Sequence, residues 1–246
     1  MLRRAVRSAA LPLTLWACGP SARSGSNASL PSPRATTTMT TLTAAEQAAG
    51  WQLLFDGRTT DGWRGYKRTT MPAGWQVVDG ALTRTAEGGD ILTTQKFRNF
   101  ELSLEWKIAP GGNSGVFYRA SEDDEAVYWT APEMQVLDDA RHPDGKSRLT
   151  AAGADYGLYE APAGIVTPAG EWNEARILVN GRHVEHWLNG VRLLQYELWS
   201  PDWEVRVHNS KFAPHPRYGR NTEGYIGLQD HGDWVAYRNI KIRVLP

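Results

Sequence analysis

From Trp51 onward the chain alternates apolar and polar residues with a period of two, the spacing that turns successive side chains to opposite faces of a β-strand. "ELSLEWKI" (101–108) sets Leu102, Leu104, Trp106 and Ile108 on one face against Glu101, Ser103, Glu105 and Lys107 on the other. "ARILVNGRHVEHWLNGVRLLQY" (175–196) reads as two or three strands broken at Asn180-Gly181 and Asn189-Gly190, dipeptides that favour tight hairpins. "YIGLQDHG" (225–232) and "VAYRNIKIRVL" (235–245) read as a further strand pair joined at Gly232-Asp233. No stretch sustains a long 3.6-residue period, and there is no internal repeat. The pattern predicts an all-β fold, an antiparallel two-sheet sandwich of jelly-roll type, as one domain over 49–246. Just before it, "TAAEQAAGW" (43–51) predicts a single helical turn with Thr43 as cap and Glu46 three residues later.

The first 48 residues follow another logic. "MLRRAVRSAALPLTLWAC" opens with Arg3, Arg4 and Arg7 and continues into a short apolar run from Ala9 to Ala17, the layout of a secretory leader and too short and interrupted for a stable membrane span. "LWAC" (15–18) resembles the bacterial lipobox, in which the Cys becomes the lipid-modified first residue of the mature chain; Trp16 departs from the small residues usual there. Residues 1–18 are therefore read as a lipoprotein-type signal with Cys18 as the lipidation site. Residues 19–48, biased to Ser, Thr, Pro and Ala, are read as a flexible tether. The expectation is an exported periplasmic or cell-surface lipoprotein that meets a membrane only through its anchor.

Composition narrows the function. Lys plus Arg and Asp plus Glu each number 27, for a formal net charge of zero, so the electrostatic footprint of a nucleic-acid binder is missing. Cys18 is the only cysteine, which excludes a disulfide framework and a cysteine zinc site. Ten of the eleven Trp lie between Trp51 and Trp234; flat indole faces suit pyranose rings, although most Trp of a β-sandwich are core packing.

The stretch that carries most chemistry is "PEMQVLDDARH" (132–142). Its alternation puts Glu133 and Gln135 on one face, Met134 and Val136 on the other, and delivers Asp138, Asp139 and His142 at the strand end. Gln229 and His231 share a face opposite Ile226 and Leu228. Asp230 has the parity of the apolar positions and reads as a structural acid, and Asn173 and Asn189 read as turn residues. Arg119 ends "GVFYR" opposite Val116 and Tyr118, open to either a cleft role or a solvated strand end; Lys211 precedes a long loop.

Seven ordered motifs then carry a family resemblance: "WQLLFDGRTTDGW" (51–63), "WQVVDGAL" (75–82), "GGNSGVFYR" (111–119), "EMQVLDD" (133–139), "GEWNEARI" (170–177), "HWLNG" (186–190) and "GYIGLQDHGDWVAYRNIKI" (224–242). The chain resembles the DUF1080 family, also called the 3-keto-disaccharide hydrolase or 3-keto-glucoside 1,2-lyase/hydratase domain. The resemblance implies a concanavalin-like or glucanase-like sandwich, an extracytoplasmic enzyme, and glycosides or disaccharides already oxidised to a ketone at C3. It also implies a separate sugar 3-dehydrogenase upstream and no nucleotide cofactor.

A C3 ketone acidifies the hydrogen on C2, so a base can remove it, cations or hydrogen bonds can hold the enolate, and the C1 substituent can leave by β-elimination. Under that reading Glu133, Asp138, His231 and Arg119 are the candidate catalytic residues, and Asn113, Gln135, His142, Lys211 and Gln229 the candidate substrate contacts. Asn113 and Ser114 sit in "GGNSG", where turn chemistry competes with ligand contact. Glu133, Asp138, His142 and His231 could instead ligate one divalent metal ion such as Ca, Mn or Zn.

A retaining glucanase on a similar sandwich would need E-x-D-x-E along the strand; here the register from Glu133 reads Glu, Gln, Leu. The competing reading is a non-catalytic carbohydrate-binding module on the same sandwich. Convergence of Glu133, Asp138 and His231 separates the two.

Overall fold

Leu102, Leu104, Trp106 and Ile108 are all buried in the structure, a computed structural model that describes residues 40–246. They lie on the inner face of β6 (Phe100–Ile108). The leader, Cys18 and most of the tether fall outside the described residues.

The chain runs through α1 (Ala44–Ala48), β1 (Trp51–Leu53), β2 (Trp63–Gly65), β3 (Trp75–Val78), β4 (Ala81–Arg84), β5 (Ile91–Thr93) and β6. It continues through β7 (Asn113–Ala120), β8 (Glu133–Leu137), β9 (Asn173–Asn180), β10 (His183–Leu188) and β11 (Val191–Glu197). Helix α2 (Pro201–His208), β12 (Tyr225–Leu228) and β13 (Val235–Val244) complete it. Two antiparallel sheets result. One has eight strands in the order β11-β10-β9-β6-β13-β4-β3, with β1 also pairing with β13; the other has five, β2-β5-β12-β7-β8. The apolar faces close on each other, Leu102, Ile177, Val184 and Ile242 meeting Val116, Tyr118, Met134 and Ile226 in one core cluster.

The hairpins form where the sequence placed them, by two different turns. Asn189 and Gly190 both have positive φ (49° and 79°) between paired Leu188 and Val191, the two-residue type I′ turn that Asn-Gly favours. At the other, Asn180 is still strand and pairs with His183. The loop is Gly181-Arg182, with positive φ (61°) at Gly181 alone, as in a type II′ turn. The capping box at Thr43 and Glu46 is present in full.

Two expectations are corrected. β12 and β13 do not pair: β12 joins β5 and β7 in the five-stranded sheet, whereas β13 is central in the other. The segment between them, 229–234, crosses from sheet to sheet, and that crossing carries Gln229 and His231 to the side of the five-stranded sheet that faces away from the core. Helix α2 was also not anticipated. It buries only Trp203 and Val207, so its helical period is too brief to stand out. Its signature is instead in its ends, with Ser200 accepting from Trp203 N, Pro201 in the first turn, Asp202 and Glu204 early, and Arg206 and His208 late.

Behind β8 lies a buried polar cluster. His186 accepts from the Tyr118 hydroxyl at Nε2 (2.9 Å) and donates from Nδ1 to Gly153 O (3.0 Å). Burial pushes this imidazole down to about 4, so it is neutral. Asp155, bridged by its backbone to Met134, is fully buried, and neither of its carboxylate oxygens has a hydrogen-bond partner among the described residues. Burial raises it to about 8. A carboxyl raised above its ordinary 3.8 binds its proton more tightly folded than unfolded, so its contribution to stability is full below that value and lost as pH rises through about 8. Asp155→Asn is therefore expected to flatten the fall in Tm between pH 4.5 and 8.5 and to melt higher than the parent at pH 8.5. Parallel pH profiles would mean that Asp155 ionises in the fold like an ordinary carboxyl.

Candidate active site

The outward face of the five-stranded sheet carries a cleft of about 390 Å³, lined by Asn113, Tyr128, Trp129, Glu133, Gln135, Tyr156, Lys211, Gln229 and His231. Six of these nine were singled out from sequence. Period-two alternation along β8 sends Met134 and Val136 into the core and Glu133 and Gln135 into the cleft. The strand is not a free edge, because its far side is held by residues 153–156: Gly153 N to Gln135 O (2.8 Å), Gln135 N to Ala154 O (3.1 Å) and Tyr156 N to Glu133 O (3.0 Å).

Asn113 is strand rather than turn. Positive φ (74°) is taken by Gly111, and Asn113 and Ser114 open β7. Asn113 faces the cleft, whereas Ser114 turns inward to donate to Gln229 O (2.7 Å) and meet the Tyr237 hydroxyl (2.7 Å). Gln135 bridges its neighbours. Its amide nitrogen donates to Asn113 Oδ1 at 3.2 Å or, with the amide turned over, to Glu133 Oε1 at 3.3 Å and Ser114 O at 3.2 Å. Gln229 is 9 % exposed, and its Oε1 is sealed from solvent without a hydrogen-bond partner among the described residues.

Glu133 and Lys211 set the electrostatics. The Glu133 carboxyl is buried over Gly115, whose missing side chain leaves it room. Burial pushes it up to about 8; Lys211 works against the rise, and the negative charges of Asp90, Asp155 and Asp144 add to it. Burial lowers the Lys211 ammonium, while Glu133 and Asp144 hold it up. Its Nζ lies 4.1 Å from the centre of the Tyr156 ring. Lys211 is fixed because the next residue, Phe212, is core, stacked on Tyr218 at 3.8 Å.

The remaining sequence candidates fall elsewhere. Arg119 lies six residues further along β7 than Asn113, past a bulge where its own φ is positive (51°), so the alternation that puts Asn113 in the cleft does not reach it. Its guanidinium donates to Arg98 O (3.0 and 2.7 Å), so it anchors a loop at the opposite end of the strand. Asp138 lies past the end of β8, accepts from Gly111 N (2.7 Å) and Ala140 N (3.2 Å), and lines a different cavity with Asp139. Glu133 and His231 thus share a cleft without Asp138, so the three-residue convergence that separates an enzyme from a binding module is met only in part. His142 sits at the rim, its ring 6.3 Å from that of His231 and its Nδ1 accepting from Asp144 N. Asp230 is the structural acid anticipated, taking Gly88 N and Gly89 N at 2.9 Å and Arg84 Nε at 2.6 Å.

Tyr128, Trp129 and Tyr156 were not anticipated as site residues. They come from a short 3-10 turn (Val127–Trp129) and from the loop flanking β8, neither of which shows a strand period. Trp129 is the Trp lining this cleft, one face stacked on His215 at 3.6 Å, whereas Trp63, Trp75, Trp106 and Trp203 are core. Among the described residues, no three His, Cys, Asp or Glu side chains gather as a metal-holding group.

The chain matches the family described as 3-keto-alpha-glucoside-1,2-lyase-like domain over residues 50–243. It is 38 % identical over 239 residues to a 3-keto-disaccharide hydrolase of Bacteroides thetaiotaomicron, covering 84 % of this chain and 82 % of that one. Its structure resembles that of a candidate glycosyl hydrolase from Parabacteroides distasonis with a TM-score of 0.79 and 35 % identity, over 85 % of this chain and all of the other. A second such protein of that organism gives 0.63 and 28 %, over 79 % of this chain and 99 % of the other. With the match spanning nearly the whole described sandwich, the chain belongs to the 3-keto-alpha-glucoside-1,2-lyase-like domain family.

Proposed function

We propose that the protein is an extracytoplasmic enzyme that cleaves 3-keto-glycosides by removing the C2 proton and eliminating the C1 substituent, with hydration of the resulting enone giving the products of a hydrolysis. The observation that carries this reading is that, among the described residues, Glu133 is the one carboxylate lining its cleft, and that it shares the cleft with Lys211. Acid-base hydrolysis of an ordinary glycoside uses two carboxylates across the scissile bond; the next acid along the groove, Asp90, lines an adjoining compartment. Abstraction of a proton next to a ketone needs one base of raised pKa and a cation at the developing enolate oxygen.

In the proposed step the Glu133 carboxylate takes the C2 hydrogen, and the C–H electrons form the enolate, whose oxygen meets the Lys211 ammonium. As the ketone re-forms, those electrons move to C1–C2 and the glycosidic oxygen departs with its bond pair. Gln135 and Asn113 orient Glu133 and the ring hydroxyls, and Trp129 and Tyr128 supply the apolar walls. The Arg-rich, then apolar N-terminus supports export, and a C3 oxidation elsewhere must supply the ketone.

The full chain incubated in D₂O with a methyl 3-keto-glucoside, and separately with its unoxidised parent, should consume the keto compound alone, with deuterium appearing at C2. Consumption of the parent as well would return the reading to an ordinary glycosidase. Binding of either sugar with turnover of neither would favour a carbohydrate-binding module.

A further inference from the structure

The Glu133 cleft does not end at His231. A second compartment of about 360 Å³ lies against it and shares three of its wall residues, Tyr128, Gln229 and His231. Its own walls include Tyr66, Arg68, Gly88, Gly89 and Asp90. The larger cavity at Asp138 and Asp139 shares no lining residue with the Glu133 cleft. A molecule that fills the Glu133 compartment and extends past His231 therefore enters the Asp90 compartment.

That compartment is built rigidly. The Asp230 carboxylate accepts from Gly88 N and Gly89 N, tying the 88–90 turn to the segment that carries Gln229 and His231. In return Asp230 N donates to Asp90 Oδ1 at 2.8 Å. Asp90 Oδ2 has no side-chain or backbone donor within hydrogen-bond distance among the described residues, and it has no cationic partner there. Burial, opposed by the Asp230 N–H and reinforced by the Asp230 charge, raises this carboxyl to about 6, as expected for an acceptor that lacks donors. The Asp90 acceptor, half-buried beside the Tyr66 and Tyr128 rings, suits a ligand rich in hydroxyl donors. Arg68 stands exposed at the outer rim.

We propose that the Asp90 compartment is the subsite for the departing sugar, and that Asp90 is a specificity-determining residue accepting hydrogen bonds from that sugar's hydroxyls. The inference rests on the catalytic reading above, because it assigns the far side of the same groove to the group on C1.

The test compares kcat/KM of the full chain for a 3-keto-disaccharide with that for the methyl 3-keto-glucoside. Asp90→Asn keeps an acceptor for Asp230 N and is expected to lower the disaccharide-to-methyl ratio about ten- to hundred-fold, the range for losing hydrogen bonds to a charged acceptor. Arg68→Ala, at the exposed rim, is expected to lower the ratio in the same direction by a smaller factor and guards against an Asp90 variant that fails to fold. A ratio unchanged in both variants, or an equal loss on both substrates, overturns the subsite while leaving the catalytic reading in place. Turnover of neither keto substrate by the parent protein overturns the catalytic reading and the subsite with it.

Discussion

Replacing Glu133 with Gln is expected to lower kcat/KM on a 3-keto-glucoside by about 10²–10⁴-fold, the usual contribution of a positioned general base, while the protein stays folded. Gln has the same shape, and the carboxyl it replaces is buried and pushed up to about 8, so the substitution removes a group that is costly to ionise. The sign of the stability change follows from linkage. A carboxyl raised from 4.5 to about 8 favours the folded state most below 4.5 and loses that contribution as pH rises through about 8. Glu133→Gln should therefore melt higher than the parent at pH 9. Activity has the opposite sign, because the base must be ionised. The parent's kcat/KM should climb as pH rises through about 8, and loss of the Lys211 proton, which burial makes easier, should work against the climb. The residual rate of the variant should lack the climb. Full activity in Glu133→Gln would remove Glu133 from the chemistry and leave His231 as the cleft's other imidazole or carboxylate base.

How much of this could be read from the sequence depends on whether a residue lies within a regular period. Along β8 the two-residue alternation assigned Glu133 and Gln135 to one face and Met134 and Val136 to the other, as the structure has them. Gln229 and His231 were likewise grouped by parity, although the strand they follow belongs to a different sheet from β13. Parity, however, says nothing about position along a strand or about a bulge, and Arg119 sits in a bulge at the far end of β7, bonded to Arg98 O. Asp138 lies one residue past β8 with the parity opposite to Glu133, and it became a turn acid in another cavity. Asp90, Tyr128, Trp129 and Tyr156 reach the groove from turns and loops, where only tertiary closure decides which side chains meet. Gly88-Gly89-Asp90 did carry a local turn signal, but nothing in it names Asp230 as its partner.

Gly115 offers the sharpest test of how Glu133 is held. It lies in the middle of β7, opposite Gln135, without the positive φ that would restrict the position to glycine. Backbone conformation therefore permits alanine. Space does not: a Cβ there would lie 1.9 Å from Glu133 Oε1, 2.6 Å from its Cδ and 2.8 Å from its Cγ. The Glu133 carboxyl must swing away, and a misplacement of about 1 Å at a reacting group costs on the order of 10²-fold in rate. Gly115→Ala is accordingly expected to lose about that factor in kcat/KM with far-UV circular dichroism unchanged. The double variant shows whether the loss passes through Glu133. If Gly115 matters only as room for that side chain, Glu133→Gln with Gly115→Ala should be no slower than Glu133→Gln alone, since residues acting as one unit are not additive. Losses that multiply in the double variant would instead give Gly115 a separate part, as the close approach of backbone to the sugar itself.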